Sequence, residues 1–218
     1  MHVFLTGEIQ VGKSTLIRRT VRAFPGLRLG GFRSVTVADI PDAMGSVYLV
    51  RAGSGIGPGW GNPEENGRAG SGTPDLRVSD TDAADGDLET SGVMAQAPAD
   101  EVLNEENRIG IRYGPGKGAE GFPDVFETRG VEILRDAEQC DLILMDEIGW
   151  MEGNTTDFRE RIMELLEGDV PILGVVQKRW NTPLQEHIRN HPKVRVLVVD
   201  EENRDRLVPE LAAWLENR

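Results

Sequence analysis

Residues 7–14 read Gly-Glu-Ile-Gln-Val-Gly-Lys-Ser, with His2-Val-Phe-Leu-Thr6 immediately before them and Ser14-Thr-Leu-Ile-Arg-Arg-Thr-Val-Arg-Ala-Phe24 immediately after. A short apolar strand, a glycine-bounded turn and an amphipathic helix in direct succession admit few folds. A strand that turns tightly into a helix opens a strand–helix–strand crossover, and crossovers build parallel sheets with helices packed on them. The spacing G-x-x-x-x-G-K-S also carries chemistry. Gly7 and Gly12 let successive backbone N–H groups curl around a phosphate, while Lys13 reaches the outer phosphate oxygens. The hydroxyl of Ser14 can ligate Mg²⁺, and the helix beginning there points its positive end at the anion. Gly7, Glu8, Ile9, Gln10, Val11, Gly12, Lys13, Ser14 and Thr15 are thus the candidate residues for binding a nucleoside triphosphate.

The remaining pattern agrees with that opening. Val3-Phe4-Leu5 reads as a buried strand and Ser14–Phe24 as the helix after it. Leu29–Ala38 and Ser46–Arg51 read as two strands, a hairpin or neighbouring pair around the turn-prone Ile-Pro-Asp-Ala-Met-Gly, and Arg108–Tyr113 as a weaker strand. Helical spacing runs through Phe122–Glu138, Asp157–Leu166, Pro183–His191 and Arg204–Glu216, and apolar runs at Leu142–Met145, Ile172–Val176 and Val194–Val199 read as strands. Apolar strands alternating with helices predict an α/β fold, a parallel sheet covered on both faces.

One segment stands apart. Residues 52–107 hold twelve acidic and two basic residues, so they carry −10 of the net −13 and leave −3 on the other 162 residues. The segment is rich in Gly, Ser, Pro, Ala and Asp and has no helical or strand period. Too little apolar surface is available to offset an ordering cost of ~1–2 kcal/mol per residue. It is predicted to be a disordered acidic insertion in a single domain spanning 1–218, either a passive surface loop, a lid near the site or an arm for a protein partner. The acidity argues against nucleic acid as the main partner. No run approaches the ~18 apolar residues of a membrane span, and Met1–Gln10 lacks a basic region and cleavage site. The lone Cys140 rules out an intramolecular disulfide and a cysteine-rich metal site. A cytoplasmic protein is expected.

Ligands of such sheets sit at the carboxyl ends of the strands. There the run Asp141-Leu-Ile-Leu-Met-Asp146-Glu147 delivers two consecutive carboxylates. Asp146 is assigned to the Mg²⁺ shell, and Glu147 either orients the attacking water or simply ends the strand. Weaker candidates surround them. Asn203 and Asp205 open the last helix, as contacts to a base edge or as a cap and first-turn acid. Gln177-Lys178-Arg179 follows a strand, as a γ-phosphate contact, an arginine supplied in cis, or a solvated loop; Arg33 and Arg51 are similar candidates. The sequence lacks the N-K-x-D signature of guanine recognition at this point. His2, His187 and His191 show no metal-ligand spacing, Trp150 is expected to pack near the site, and Cys140 to be a small buried residue.

Gly-Glu-Ile-Gln-Val-Gly-Lys-Ser-Thr-Leu at 7–16, Met-Asp-Glu-Ile-Gly-Trp-Met-Glu at 145–152 and Glu-Asn-Arg-Asp-Arg-Leu at 202–207 together resemble the small P-loop nucleoside-triphosphatase family, which includes the cancer-related nucleoside-triphosphatase type. Gly31-Phe32-Arg33, Asp157-Phe158 and Pro171-Ile-Leu-Gly174 add to the likeness, which stops at the acidic insertion. The resemblance implies a P-loop NTPase three-layer sandwich with a mostly parallel sheet, and Mg²⁺-dependent hydrolysis of ATP, GTP and other triphosphates to diphosphate and phosphate. The sequence departs from the family at the loop centre, Glu8-Ile-Gln-Val11, so Glu8 is expected to face solvent. It departs again after Gly31-Phe32, where it continues Arg33-Ser34-Val35 and the family's usual glutamate–arginine pair downstream has no clear counterpart. Two other functions use the same loop: a nucleotide or small-molecule kinase, which needs an acceptor pocket and an arginine-rich lid, and a nucleotide-dependent switch with slow hydrolysis.

Overall fold

In a computed structural model of the chain, the described residues are 1–41, 43–54, 78–79, 101–114 and 116–217. The expected strand–turn–helix is present: β1 (His2–Gly7) is buried along its whole length and leads into α1 (Lys13–Arg22). Then follow β2 (Leu29–Val37), β3 (Gly45–Arg51), β4 (Val78–Ser79), β5 (Arg108–Arg112) and β6 (Ala119–Gly121). After an irregular helical stretch come β7 (Leu142–Ile148), a 3₁₀ turn over Met151–Asn154, a helix over Asp157–Glu167, β8 (Ile172–Val176), a helix over Pro183–Asn190, β9 (Val194–Val199) and a helix over Arg204–Glu216.

One sheet contains all the strands of the described residues, in the order β6-β5-β3-β2-β7-β8-β1-β9, with β4 pairing the far end of β2. The five strands β2, β7, β8, β1 and β9 run parallel, and β3, β5 and β6 extend the sheet antiparallel beyond β2. Alternating side chains make two cores. Val3, Leu5, Leu142, Leu144, Leu173 and Val175 face α1 and the last helix, whereas Phe4, Phe32, Ile143, Met145 and Ile172 face the other helices. That is a three-layer sandwich. Because the central strands are buried on both faces, they are apolar without interruption, which is why Leu142–Met145 and Ile172–Val176 read so clearly in the sequence. Among the described residues no helix is long and apolar enough to cross a membrane.

The single helix expected over Phe122–Glu138 is broken into α2 (Pro123–Val125), a π-helical turn (Phe126–Gly130), α3 (Val131–Leu134) and a 3₁₀ turn (Ala137–Gln139). Two local causes coincide. Thr128 Oγ1 donates back to the Asp124 carbonyl at 2.9 Å, a bond that bends helices. Gly130 lies against the Phe158 ring, where a Cβ would come within 2.7 Å of a ring carbon. The helices past this stretch are α4 (Asp157–Glu167), α5 (Pro183–Asn190) and α6 (Arg204–Glu216).

Most of the 52–107 segment, with its expected disorder, partner arm and Trp60, lies outside the described residues. Its two margins are described and belong to the body. Ala52 and Ser54 are buried at the end of β3, and so are Glu101 and Asn107. The Glu101 carboxylate accepts from the Arg51 backbone N–H and pairs with Arg129 at 3.0 Å, while the Asn107 carbonyl accepts from Leu49 N–H. Glu101 and Asn107 bind the body through partners distant in sequence, so a composition window gave no sign of them.

Candidate active site

Strand order and register bring the two motifs to one edge of the sheet. Val3 and Leu144 both pair with Leu173 of β8, and Phe4 and Met145 both pair with Gly174. Asp146 therefore stands about level with Leu5, two positions short of Gly7, on strands separated only by β8. At ~4.8 Å per strand the lateral offset is about 10 Å. Asp146 shares its face with Leu142 and Leu144, the face covered by α1, and is buried.

The loop itself is built by close approaches. A Cβ on Gly7 would lie 2.3 Å from the Val199 carbonyl oxygen, so only glycine lets β1 and β9 meet there. Gly12 has φ +97° and Gln10 φ +65°, the left-handed conformations that turn consecutive N–H groups to one side. Lys13 is buried, and its Nζ donates to the carbonyls of Glu8 at 2.6 Å and Gly7 at 3.3 Å. Ser14 and Thr15 are half-buried in the first turn of α1, and Ile9 is exposed. The Glu8 side chain points to solvent, where its carboxylate meets Lys178 at 2.6 Å; that contact holds its pKa below the usual carboxylate range.

Around Glu147 the strand is irregular: three residue steps in β7 (Met145 to Ile148) match two in β8 (Gly174 to Val176). Bulges of this kind re-aim side chains beside active sites. The Glu147 carboxylate accepts from Gln177 Nε2 and lies 3.9 Å from the Arg112 guanidinium. Arg112 comes from the end of β5, three strands away, and nothing in Arg108–Tyr113 marked it. Below them Glu152 is buried and accepts from Gly149 N–H at 2.8 Å. Burial, reinforced by the nearby Glu147 charge, raises its pKa to about 7.

Other sequence candidates have found different partners. Arg33 is buried next to Asp146 in the β2–β7 register and donates to the carbonyls of Ala52 and Ser54. Arg51 pairs with Glu132 at 2.8 Å and Asp205 with Arg19 at 2.7 Å, both at the surface. The Asn203 carboxamide closes the β9–α6 turn, donating to Val198 O and Asp200 Oδ2 and accepting from Asp200 N–H. Its neighbour Arg204, which the sequence did not single out, reaches the phosphate loop: its side chain lies 3.6 Å from where a Cβ on Gly12 would be, and it makes no ion pair with a described residue. Trp150 packs in a tilted pair with the exposed Trp180, ring centres 6.3 Å apart, and against Gly121. Cys140 is half-buried rather than buried, its thiol pKa raised mainly by partial desolvation.

The sequence pattern of a protein family described as NTPase matches residues 99–212, more than half of the chain and including the Asp146-Glu147 strand and the Arg204 helix. The chain belongs to this family. The NTPase is also 27% identical over 210 residues to the nucleoside-triphosphatase THEP1 of Methanosarcina acetivorans, an alignment covering 95% of this chain and 92% of the relative. Two solved structures share its fold: the crystal structure of THEP1 from Aquifex aeolicus (TM-score 0.60, 19% identity, 99% of both chains) and the solution structure of a human cancer-related nucleoside triphosphatase (TM-score 0.55, 23% identity, 99% of this chain and 97% of the other).

Proposed function

We propose that this NTPase hydrolyses the bond between the β- and γ-phosphates of nucleoside triphosphates, releasing the diphosphate and inorganic phosphate. The observation that carries the reading is the buried Lys13 ammonium, donating to the loop carbonyls of Glu8 and Gly7, at the same sheet edge as the Asp146-Glu147 pair. A phosphate tail entering the loop offers Lys13 a stronger, charge-assisted partner than two carbonyls. Backbone N–H groups from Gln10 to Lys13 and the start of α1 complete the cradle.

The donor set beside the loop suits a hard divalent cation. Ser14 and the buried Asp146 supply oxygen only, and Mg²⁺ characteristically takes one or two protein oxygens and fills its shell with phosphate and water. Those two residues would hold the ion, which when bound neutralises charge on the β- and γ-phosphate oxygens. In the reaction a water oxygen bonds to the γ-phosphorus while the bond from that phosphorus to the bridging oxygen breaks. The diphosphate leaves with the electron pair, and Glu147 takes the water proton. Asn203 serves the nucleotide site through the turn it closes, and Arg204 lines the loop beside Gly12. The proposed substrates include triphosphates of any base, as the family resemblance implies.

A phosphate-release panel over ATP, GTP, CTP and UTP, with and without Mg²⁺, on wild type and Glu147→Gln, tests this. Mg²⁺-dependent release by wild type, slowed about 1,000-fold in Glu147→Gln while nucleotide binding persists, is expected. Release that appears only when an acceptor alcohol or nucleotide is added would replace hydrolysis by kinase chemistry.

A further inference from the structure

Gln177 is held more firmly than a loop residue needs to be. Its N–H donates to Ile148 O at 2.9 Å, and its carbonyl accepts from Arg189 at 2.6 Å and from Gln185 Nε2 at 3.3 Å. Gln185 is itself fully buried. It reads the same corner through Ile148 O, and it closes the capping box of α5 with Thr182. The Gln177 side chain lies flat over Gly149, where a Cβ would come within 2.4 Å of its Oε1 and 2.8 Å of its Nε2. Its Nε2 donates to Glu147, which fixes which end of the carboxamide is which. After all this one atom is left over: Oε1 is buried and has no hydrogen-bond partner among the described residues. A buried, unpaired carbonyl oxygen is costly, and it persists where something outside the protein donates to it. One more orphan lies close by in the sheet. Thr6 Oγ1 is also buried without a partner, on the residue after Leu5, which pairs with Val175 two positions before Gln177.

We propose that Gln177 Oε1 accepts a hydrogen from the water that Glu147 activates, making Gln177 a catalytic residue that aims the nucleophile. The inference rests on the hydrolytic reading above. The water then has two fixed acceptors, the Glu147 carboxylate and the Gln177 carbonyl oxygen, so its lone pair is turned toward the γ-phosphate. When the water oxygen bonds to phosphorus, one of its protons passes to Glu147 and the other stays hydrogen-bonded to Gln177 until the phosphate leaves. Gly149 acquires a reason as well: any side chain there would push the carboxamide off the water.

Two substitutions address this from opposite sides. Gln177→Met keeps the volume and removes both polar ends. Gly149→Ala keeps the carboxamide but displaces it, at a position whose backbone φ suits alanine. For each, kcat for phosphate release is expected to fall about 100-fold with nucleotide Kd within twofold of wild type. A cycle with Glu147→Gln separates a shared water from a general loss of structure: Gln177→Met added to Glu147→Gln should slow the enzyme no further. If either variant keeps kcat within threefold of wild type, or if the losses in the cycle multiply, Gln177 has no part in aiming the water. Failure of the hydrolytic reading looks different, because then wild type itself releases no phosphate or Glu147→Gln releases it undiminished. Should Gln177→Met not fold, Gly149→Ala alone decides by the same thresholds.

Discussion

The Lys13 ammonium is buried with two backbone carbonyls as its partners, the Glu8 oxygen at 2.6 Å and the Gly7 oxygen at 3.3 Å. A buried cation whose hydrogen bonds go to backbone carbonyls favours an incoming anion, because hydrogen bonds to an ionised acceptor are roughly twice as strong as those to a neutral one. Lys13→Ala should therefore raise nucleotide Kd about 10- to 150-fold, corresponding to the ~1.5–3 kcal/mol of a hydrogen bond to a charged group, measured by titration calorimetry with Mg²⁺ and a non-hydrolysable triphosphate. An affinity within threefold of wild type would remove the loop from nucleotide binding. Glu147 makes the opposite prediction. It accepts from Gln177 and faces Arg112, so its neutral isostere keeps the pocket's shape; Glu147→Gln should bind nucleotide normally and release phosphate about 1,000-fold more slowly than wild type. At this scale the sequence was most informative about residues whose type is dictated by local chemistry, Gly7, Gly12, Lys13, Asp146 and Glu147. It was silent on Arg112 and Arg204, which come near Glu147 and Gly12 from β5 and α6, because an arginine on a strand end or helix start has no local signature.

Helix α4 begins at Asp157 without a side-chain cap from its own Thr156. Its orphan N–H groups are met from another element. The Glu127 carboxylate, on the π-helical turn, accepts from Phe158 N–H at 3.0 Å and from Thr156 N–H. A negative group at a helix N-terminus is favoured by the helix dipole as well as by the bonds. Glu127→Ala should therefore lower unfolding free energy by about 1–2 kcal/mol, read as a reduced denaturant midpoint with an unchanged slope. An unchanged midpoint would mean that α4 caps itself in solution. This pair also marks where element reading succeeds and fails. β8, β9 and α6 match their expected ranges because each is specified by its own pattern: β8 is apolar throughout, β9 is apolar but for Arg195, and α6 is amphipathic at 3.6. The stretch from Phe122 to Glu138 has the same helical period and yet breaks, since its shape answers to Phe158 pressing on Gly130 and to α4 needing a cap. The margins of the acidic segment were lost for the same reason: Glu101 and Asn107 are fixed by Arg51, Arg129 and Leu49, none of them near in sequence.

Across the whole molecule, two buried titratable groups at opposite edges of the sheet pull stability in opposite directions with pH. His2, at the start of β1, is fully buried and held as the neutral ring: its Nε2 lies 2.9 Å from Leu166 O, and its Nδ1 accepts from Ile172 N–H. Desolvation, with smaller contributions from the N-terminal ammonium, His191 and Lys193, lowers its pKa to about 4. The unfolded chain then takes up a proton first as pH falls, so this contribution is complete above 6.5 and is lost between 6.5 and about 4. Glu152, past β7, is the reverse. Its pKa is raised from 4.5 to about 7, so the folded state holds the proton, and its contribution is complete below 4.5 and lost as pH rises to about 7. Each shift corresponds to ~3 kcal/mol at 1.36 kcal/mol per unit, and between pH 4.5 and 6.5 the two slopes cancel. Hydrogen bonds and ion pairs with Arg129, Arg161 and His191 lower the pKa values of the surface carboxylates Glu132, Glu138 and Glu167, respectively. Glu152→Gln should thus unmask the histidine, giving a protein whose unfolding free energy rises by about 2–3 kcal/mol from pH 4.5 to 6.5. His2→Gln should unmask the glutamate and fall by a similar amount. Urea titrations of wild type and both variants at pH 4.5, 5.5 and 6.5 decide it: three parallel profiles would mean that neither group is buried as a single protonation state, and a Glu152→Gln profile that falls with pH would reverse the assignment of which group holds its proton.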